Sequence, residues 1–305
     1  MCNRQEMPTD AWRSNKSHPE NGQLEGIHSR FFSKGNNTAM MKRIFWILSA
    51  SILFLSQATT AQEFCGIKNK SIHAGEQLHF TVYYNLSALW VAAGNVTFTT
   101  TLSRINNRPA YHIAGVGATY KSYDWIFKVR DRYETFIDTA SLLPLRFIRN
   151  VNEGGYKIYQ DVSFDRNNNT ARSDNKVFNV PQCVQDVLST IYYARNIDYN
   201  RYKPGAKIPF SMFLDDEVFE LYIRYLGKEK IVTRYGTFNA IKIAPLLIKG
   251  TIFEGGEDMR VWVSDDDNHI PLRIDSPILV GSVKVDMMGY KNLKHPLASL
   301  IKKKK

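Results

Sequence analysis

The residue types that do chemistry are present in this 305-residue chain, but they are not grouped to do it. Beyond residue 61 the histidines are His73, His79, His112, His269 and His295. None of them falls beside Cys, Asp or Glu at metal-ligand spacing, and no H-E-x-x-H occurs. Cys183 with a distant histidine has the elements of a thiolate nucleophile, although a structural cysteine at the start of a helix accounts for it more simply. Asp265-Asp266-Asp267 offers oxygen ligands. It lacks the alternating ligands, glycine and closing glutamate of a calcium loop, which leaves a solvated hairpin tip. Asp215-Asp216-Glu217 supplies neighbouring carboxylates for acid/base work, but at a turn between strands. G-x-S-x-G, Walker and G-x-G-x-x-G patterns are missing. The expectation is a non-enzymatic protein with no catalytic residue, no cofactor and no metal.

Aromatic residues, in contrast, are abundant on strand-like segments: Tyr84, Trp90, Phe98, Trp125, Phe127, Tyr133, Phe136, Trp262 and Tyr290. They supply either a core or the lining of an apolar cavity. A barrel of many strands encloses more volume than backbone fills, so Tyr84, Trp90, Phe98, Trp125, Phe127, Phe136 and Trp262 are the candidates to line a ligand site.

The elements that must position these residues are mostly strands. Leu78, Phe80, Val82 and Tyr84 alternate with polar neighbours, as do Val96, Phe98 and Leu102, which marks strands with one face on a core. Similar runs recur to Tyr290, separated by turn signals such as Asn106-Asn107, Gly154-Gly155 and Gly255-Gly256. One segment, 183–195, differs. Val184, Val187, Leu188, Ile191 and Tyr192 recur at helical spacing and predict a single amphipathic helix. A repeat flanks it. Phe136-x-Asp138 leads to Pro144-Leu145-Arg146-Phe147 as Val263-x-Asp265 leads to Pro271-Leu272-Arg273-Ile274, and Ala110–Ile113 parallels Ala240–Ile243 upstream. Each unit reads as a strand, an Asp-started turn and a return strand opening on proline, where no ladder N–H is missed. The fold class expected is therefore mainly all-β: an antiparallel curved sheet or β-barrel of two related halves, 75–165 and 205–292, with the helix between them, in one domain spanning 62–292.

The flanks read differently. Residues 1–39 have no apolar periodicity and form either a disordered extension or the product of a start codon assigned too early. Lys42-Arg43, the apolar run Ile44–Leu55 and small residues ending at Ala61 make residues 40–61 an export signal, too short in its apolar part for the ~20 residues of a spanning helix. An uncleaved anchor over 44–61 is the alternative. Cys65 and Cys183 are then the two cysteines left in an exported chain and suggest one disulfide. The formal charge of +11 also divides: residues 1–61 hold seven Lys+Arg and four Asp+Glu, leaving 33 against 25 beyond them, a balance of +8. Lys302–Lys305 supply four of those eight in a basic tail, 293–305, expected to be solvated and able to touch an anionic membrane surface. A nucleic-acid partner is not expected.

Tyr83-Tyr84, Ala93-Gly94 leading into Val96-Thr97-Phe98, Leu143-Pro144-Leu145-Arg146-Phe147, Asp186-Val187-Leu188-Ser189 continuing to Tyr193-Ala194-Arg195, and Tyr235-Gly236-Thr237-Phe238 together resemble the exported bacterial family known as domain of unknown function 3108. The likeness is to its Bacteroides-like version and carries over no catalytic residue. Val261–Asp265 followed by Ile270–Arg273 is similar to a hairpin of periplasmic lipoprotein carriers and their sigma-regulator relatives, which implies an acyl-binding curved sheet. The leading expectation is thus an exported envelope protein, in the periplasm or on the outer-envelope face, that binds a lipid or other hydrophobic ligand. The alternative is a structural or assembly factor that binds an envelope protein or polysaccharide through its β-surface. An apolar cavity of about 300 Å³ or more separates the first from the second. Cleavage after Ala61 is expected, so the exported protein should have an intact mass beginning at Gln62; a mass that includes the 44–61 segment would show an anchor instead.

Overall fold

Period-two alternation organises the chain into one antiparallel sheet. The computed structural model describes residues 65–86, 89–249, 255–278 and 281–304; the extension and the export signal lie outside the described residues. Strands β1 (Gln77–Leu86), β2 (Leu89–Ile105), β3 (Arg108–Thr119), β4 (Arg130–Asp138), β5 (Pro144–Glu153), β6 (Tyr156–Asp165), β7 (Thr170–Ser173) and β8 (Lys176–Asn179) form a meander. Helix α1 (Val187–Ala194) comes next. A second meander comprises β9 (Lys207–Leu214), β10 (Glu217–Val232), β11 (Gly236–Pro245), β12 (Arg260–Ser264), β13 (Pro271–Pro277) and β14 (Ser282–Lys291). Antiparallel pairing of β1 with β14 fuses the two meanders, so that β8 and β9 end the sheet. Several hairpins turn on the residues that tolerate a left-handed backbone. Asn106-Asn107 and Asp215-Asp216 have φ of 49° and 65°, and of 53° and 63°, the positive pair a two-residue hairpin loop needs.

The sheet curls until its two ends meet. Phe213 on β9 packs edge-on to Phe164 of β6 and against Phe178 of β8, with ring centroids 6.2 and 5.4 Å away. The exposed side of β9 is covered by the chain entering the helix: Gln185 N donates to Ser211 O and Phe213 N donates to Gln185 O, both at 2.9 Å. That pairing holds the residues just before the helix extended, so α1 begins at Val187 and not at the expected Cys183. Asp186 caps it, accepting from Leu188 N and Ser189 N at 2.8 and 2.7 Å while Ser189 Oγ accepts from Asp186 N. Thr135 of β4 adds a third donor to this carboxylate at 2.6 Å and ties the cap to the sheet. Burial pushes the Asp186 carboxyl up to about 6, against the pull of these hydrogen bonds.

Helix α1 sits inside the curl. Leu188, Tyr192 and Tyr193, with Val184, Ile197 and Tyr199 around the helix, are buried in one cluster with Ile113, Ile137, Phe147, Ile208, Phe213, Ile223 and Ile241. Ile191, expected on the buried stripe, is exposed, because the inward face is centred on Leu188, Tyr192 and Tyr193. Phe238 and Ala240 of β11 join a second cluster with Leu78, Phe80, Trp262, Leu272 and Met287, while Ile241 and Ile243 serve the first. Successive strand residues point to opposite faces, so β11 is buried on both.

The repeated Pro-Leu-Arg segments do the same work in both meanders. Pro144 opens β5 opposite Ile137, and Pro271 opens β13 opposite Val263, each beside a bulge. Arg146 then forms a bidentate pair with Asp161 on β6, and Arg273 one with Asp286 on β14 at 2.7 and 2.8 Å.

Two expectations at the loops and the C-terminus need correction. Asp265-Asp266-Asp267 is not a solvated tip: Asp266 accepts from Ser264 Oγ, Asn268 N and Ser299 N, Asn268 is fully buried, and Asp265 pairs with Lys228 at 2.8 Å. The basic tail is not a free tail either. Leu300–Lys303 forms β15 on the start of β11, where β12 does not reach, because Leu297 and Leu300 pack on the second cluster. Lys302, Lys303 and Lys304 remain exposed.

The polar centre of the fold is Arg195, the residue after α1. It meets Glu76 through two bonds of 2.6 and 2.7 Å, with side chains 2% and 0% exposed. Its other donors reach Asn268 O at 3.0 Å and Ser71 O at 3.2 Å, and its guanidinium lies 5.0 Å from the Tyr192 ring centre. Glu76→Ala should destabilise the protein by about 3–5 kcal/mol, because it strands a buried cation, whereas Glu76→Met with Arg195→Met should recover part of that loss; urea denaturation of the three proteins measures both. Cys65 and Cys183 form the expected disulfide across 118 residues. Reduction should lower stability by roughly 4–5 kcal/mol in the chain-entropy picture, read as the shift in urea midpoint with and without reductant.

Candidate functional site: an aromatic rim

In an antiparallel meander alternate connections lie at the same end of the sheet. The β1–β2, β3–β4, β5–β6 and β13–β14 connections therefore share one end, and their strands are neighbours in the order β6-β5-β4-β3-β2-β1-β14-β13. Apolar side chains gather there and face water. Trp125 is 82% exposed, Ile126 60% and Leu89 72%; Trp90, Phe127 and Tyr156 are exposed beside them.

The β3–β4 connection is anchored at its base. Asp124 accepts from Thr119 Oγ1 at 2.9 Å and from both terminal nitrogens of Arg130, the closer at 2.7 Å, which holds the Asp124 carboxyl below its usual range. Backbone bonds from Ile126 N and Phe127 N back to Tyr123 O close a helical turn, and Trp125-Ile126-Phe127 projects beyond this clasp. The Phe127 ring rests on Gly154 of the next loop. A Cβ on Gly154 would lie 2.3 Å from Phe127 Cε2, and its φ of 56° also favours glycine. Cations flank the apolar tips: Lys121, Lys128 and Lys157 are exposed, and Lys284 Nζ lies 4.3 Å from the Trp90 ring centre. Below the tips, Glu153 is pushed up to about 7 by burial and by its hydrogen bond with Asp131.

The seven ligand-lining candidates do not converge. Trp90, Trp125 and Phe127 stand on the rim, outside the interior: Trp125 and Phe127 belong to the β3–β4 connection, and Trp90 is an exposed residue at the start of β2, opposite Asn85. Phe98 is packed between the two apolar clusters. Trp262 is buried in the second cluster and donates Nε1–H to Glu229 Oε1 at 2.6 Å. Phe136 is stacked on His112, its cross-strand partner, with centroids 4.3 Å apart. Half-buried Tyr84 lies next to Gly281 at the β13–β14 connection. A depression of about 350 Å³ does lie on β3, β4 and β5, open to solvent and lined by Val116, Gly117 and Ala118 together with Arg130, Asp131, Arg132, Asn150 and Asn152; none of the seven candidates is among them.

The paired carboxylates of the β9–β10 turn are engaged in closing the curl. Asp215 pairs with buried Arg149 on β5, and Asp216 with Gln160 on β6 and Lys176 on β8. Among the described residues no cluster of His, Cys, Asp and Glu could hold a metal ion, and no helix is long and apolar enough to cross a membrane. Sequence reasoning found the rim aromatics but put them in the wrong place. For Trp125 and Phe127 the separating signal is their position between strands, next to the helical turn at Lys121–Tyr123; for Trp90 it is its place at the very start of β2.

No curated protein sequence matches the chain. Among solved structures, a β-barrel-like protein of the domain of unknown function DUF1849 from Brucella abortus has a TM-score of 0.50 at 9% identity, covering 74% of this chain and 99% of its own. At that identity the likeness is one of fold. A protein with YmcC-like fold from Bacteroides fragilis gives a TM-score of 0.29 at 11% identity, covering 72% and 97%. The sequence itself matches the family described as Protein of unknown function (DUF3108) over residues 79–288, more than half its length, and the chain belongs to that family.

Proposed function

We propose that the protein is a non-enzymatic, exported factor of the cell envelope that works by binding a partner on its outer surface and loop rim, with its interior serving as solid core. The observation that carries this reading is the helix inside the curl. Leu188, Tyr192 and Tyr193 pack inside the curl in one buried cluster with side chains from both meanders, which supports an interior filled by the protein's own side chains. The buried ionisable groups also have structural duties: Asp186 caps the helix, Glu76 neutralises Arg195, and Asp215 holds Arg149 across the closure. Export is supported by the signal-like segment 40–61 and by the Cys65–Cys183 disulfide, which suits an oxidising compartment.

Native mass spectrometry of protein recovered from the export compartment tests the reading. The expected result is the polypeptide mass alone. A stoichiometric acyl or lipid adduct that survives exchange into volatile buffer would overturn it and restore a hydrophobic-ligand carrier.

A further inference from the structure

We infer that the aromatic rim inserts into the interface of an anionic lipid bilayer, so that the protein rides on a membrane with its rim loops down. This deepens the external-binding reading and rests on it, by naming the partner surface. Three observations carry it.

The first is shape. Trp125, Ile126 and Phe127 stand in the β3–β4 connection, and Leu89, Trp90 and Tyr156 lie at the starts of β2 and β6 at the same end of the sheet, so the exposed apolar groups line an edge and not a groove or a flat sheet face. A stable protein interface needs a complementary patch of roughly 800 Å² on each partner, whereas tips suit a fluid surface that adapts around them. The second is composition. Trp125, Ile126, Phe127, Leu89, Trp90 and Tyr156 combine bulky apolar side chains with the amphipathic rings that settle at headgroup depth. The third is charge. Lys121, Lys128 and Lys157 surround the tips and Lys284 stands over Trp90, while Asp124, the carboxylate nearest the tips in sequence, is neutralised by Arg130. Basic side chains beside apolar ones are attracted to phosphate headgroups while the rings enter the acyl boundary. The clasp of Asp124, Thr119 and Arg130 and the seat of Phe127 on Gly154 set the tips in place before contact, so little ordering is needed on binding.

The exposed lysines of the C-terminal strand are the competing contact. β15 pairs with the start of β11, and β11 runs from there toward the rim, so the two basic regions belong to different ends of the sheet.

Flotation with phosphatidylcholine vesicles, with and without phosphatidylglycerol, tests the inference on protein exported from cells that make the full chain. Expected results are co-flotation with the phosphatidylglycerol vesicles and a blue shift of tryptophan emission. Trp125→Ser with Ile126→Ser should lower the bound fraction by about tenfold or more. Lys121→Glu with Lys128→Glu should weaken binding to the anionic vesicles selectively, and removal of Lys302–Lys305 should leave it unchanged. Because Trp125, Ile126, Lys121 and Lys128 are exposed, every rim variant should keep the parent thermal midpoint. Failure to float with either vesicle overturns the inference, as does flotation that survives the Trp125/Ile126 variant or disappears on removal of the terminal lysines. In each of those cases an adduct-free native mass leaves the external-binding reading standing: with no flotation the partner is a protein or polysaccharide, and with flotation through another surface or the lysine tail the membrane contact lies away from the rim.

Discussion

Arg195 and Glu76 bind each other in the dry interior and tie together segments of the chain that are far apart in sequence. A guanidinium and a carboxylate removed from water are costly unless nearly every donor and acceptor is met. Here the Arg195 donors reach Glu76, Ser71 O and Asn268 O. The backbone oxygen of Arg195 accepts from Ser71 Oγ and His269 Nδ1, both at 2.8 Å. Burial lowers the His269 pKa and favours the neutral ring, which can donate through Nδ1. Asn268 extends the network to His295 O and Pro296 O. The segment before β1, the end of α1, the β12–β13 loop and the C-terminal segment thus converge on one ion pair. Such a pair specifies one arrangement of the chain more than it adds stability, since misplacing any of these segments leaves a buried charge unmet.

The same economy of polar contacts recurs in the sheet. Arg146–Asp161 and Arg273–Asp286 lock β5 to β6 and β13 to β14, the corresponding strand pairs of the two meanders. Both meanders also have a long second strand, β2 with 17 residues and β10 with 16. Their later elements differ. β7, β8 and the helix extend the first meander, and that asymmetry supplies the element that fills the curl. Arg149–Asp215 and Gln160–Asp216 then fasten the open ends, with the acidic turn of one meander laid over inward positions of the other.

Much of this was legible in the amino-acid order because it depends on local period. Alternation marked the strands, the stripe through Leu188 and Tyr192 marked the helix, and the matched Pro-Leu-Arg segments marked two hairpins with equivalent arginines. What was misread depends on partners distant in sequence. The helix starts four residues late because Gln185 pairs with β9. The tail is a strand because the start of β11 is uncovered and Leu300 has a cluster to enter. Trp125 and Phe127 look like any strand aromatics until the helical turn at Lys121–Tyr123 places them in a connection. Composition cannot tell an aromatic that fills a core from one held out in water, and only the path of the backbone decides between them.

That distinction bears on how such a fold acquires function. The helix and its tyrosines share one buried cluster with both meanders, so a change to these side chains repacks both. Loops at the strand ends carry no such constraint and are the usual place for recognition on a rigid scaffold. The two ends of this sheet are unequal in that respect. At the end holding the β12–β13 loop, the polar network of Arg195, Asn268 and Asp266 ties the loop to neighbouring segments and would transmit any change to the core. At the other, the β3–β4 loop is fastened at its base and by contact with the neighbouring β5–β6 loop, and its three apolar residues beyond the clasp are exposed. Exposing a tryptophan and an isoleucine to water forgoes roughly 1.5–3 kcal/mol of burial for each side chain, a standing cost that folding alone gives no reason to bear. The rim is where the chain accepts that cost, and an apolar surface brought against it is what would recover it.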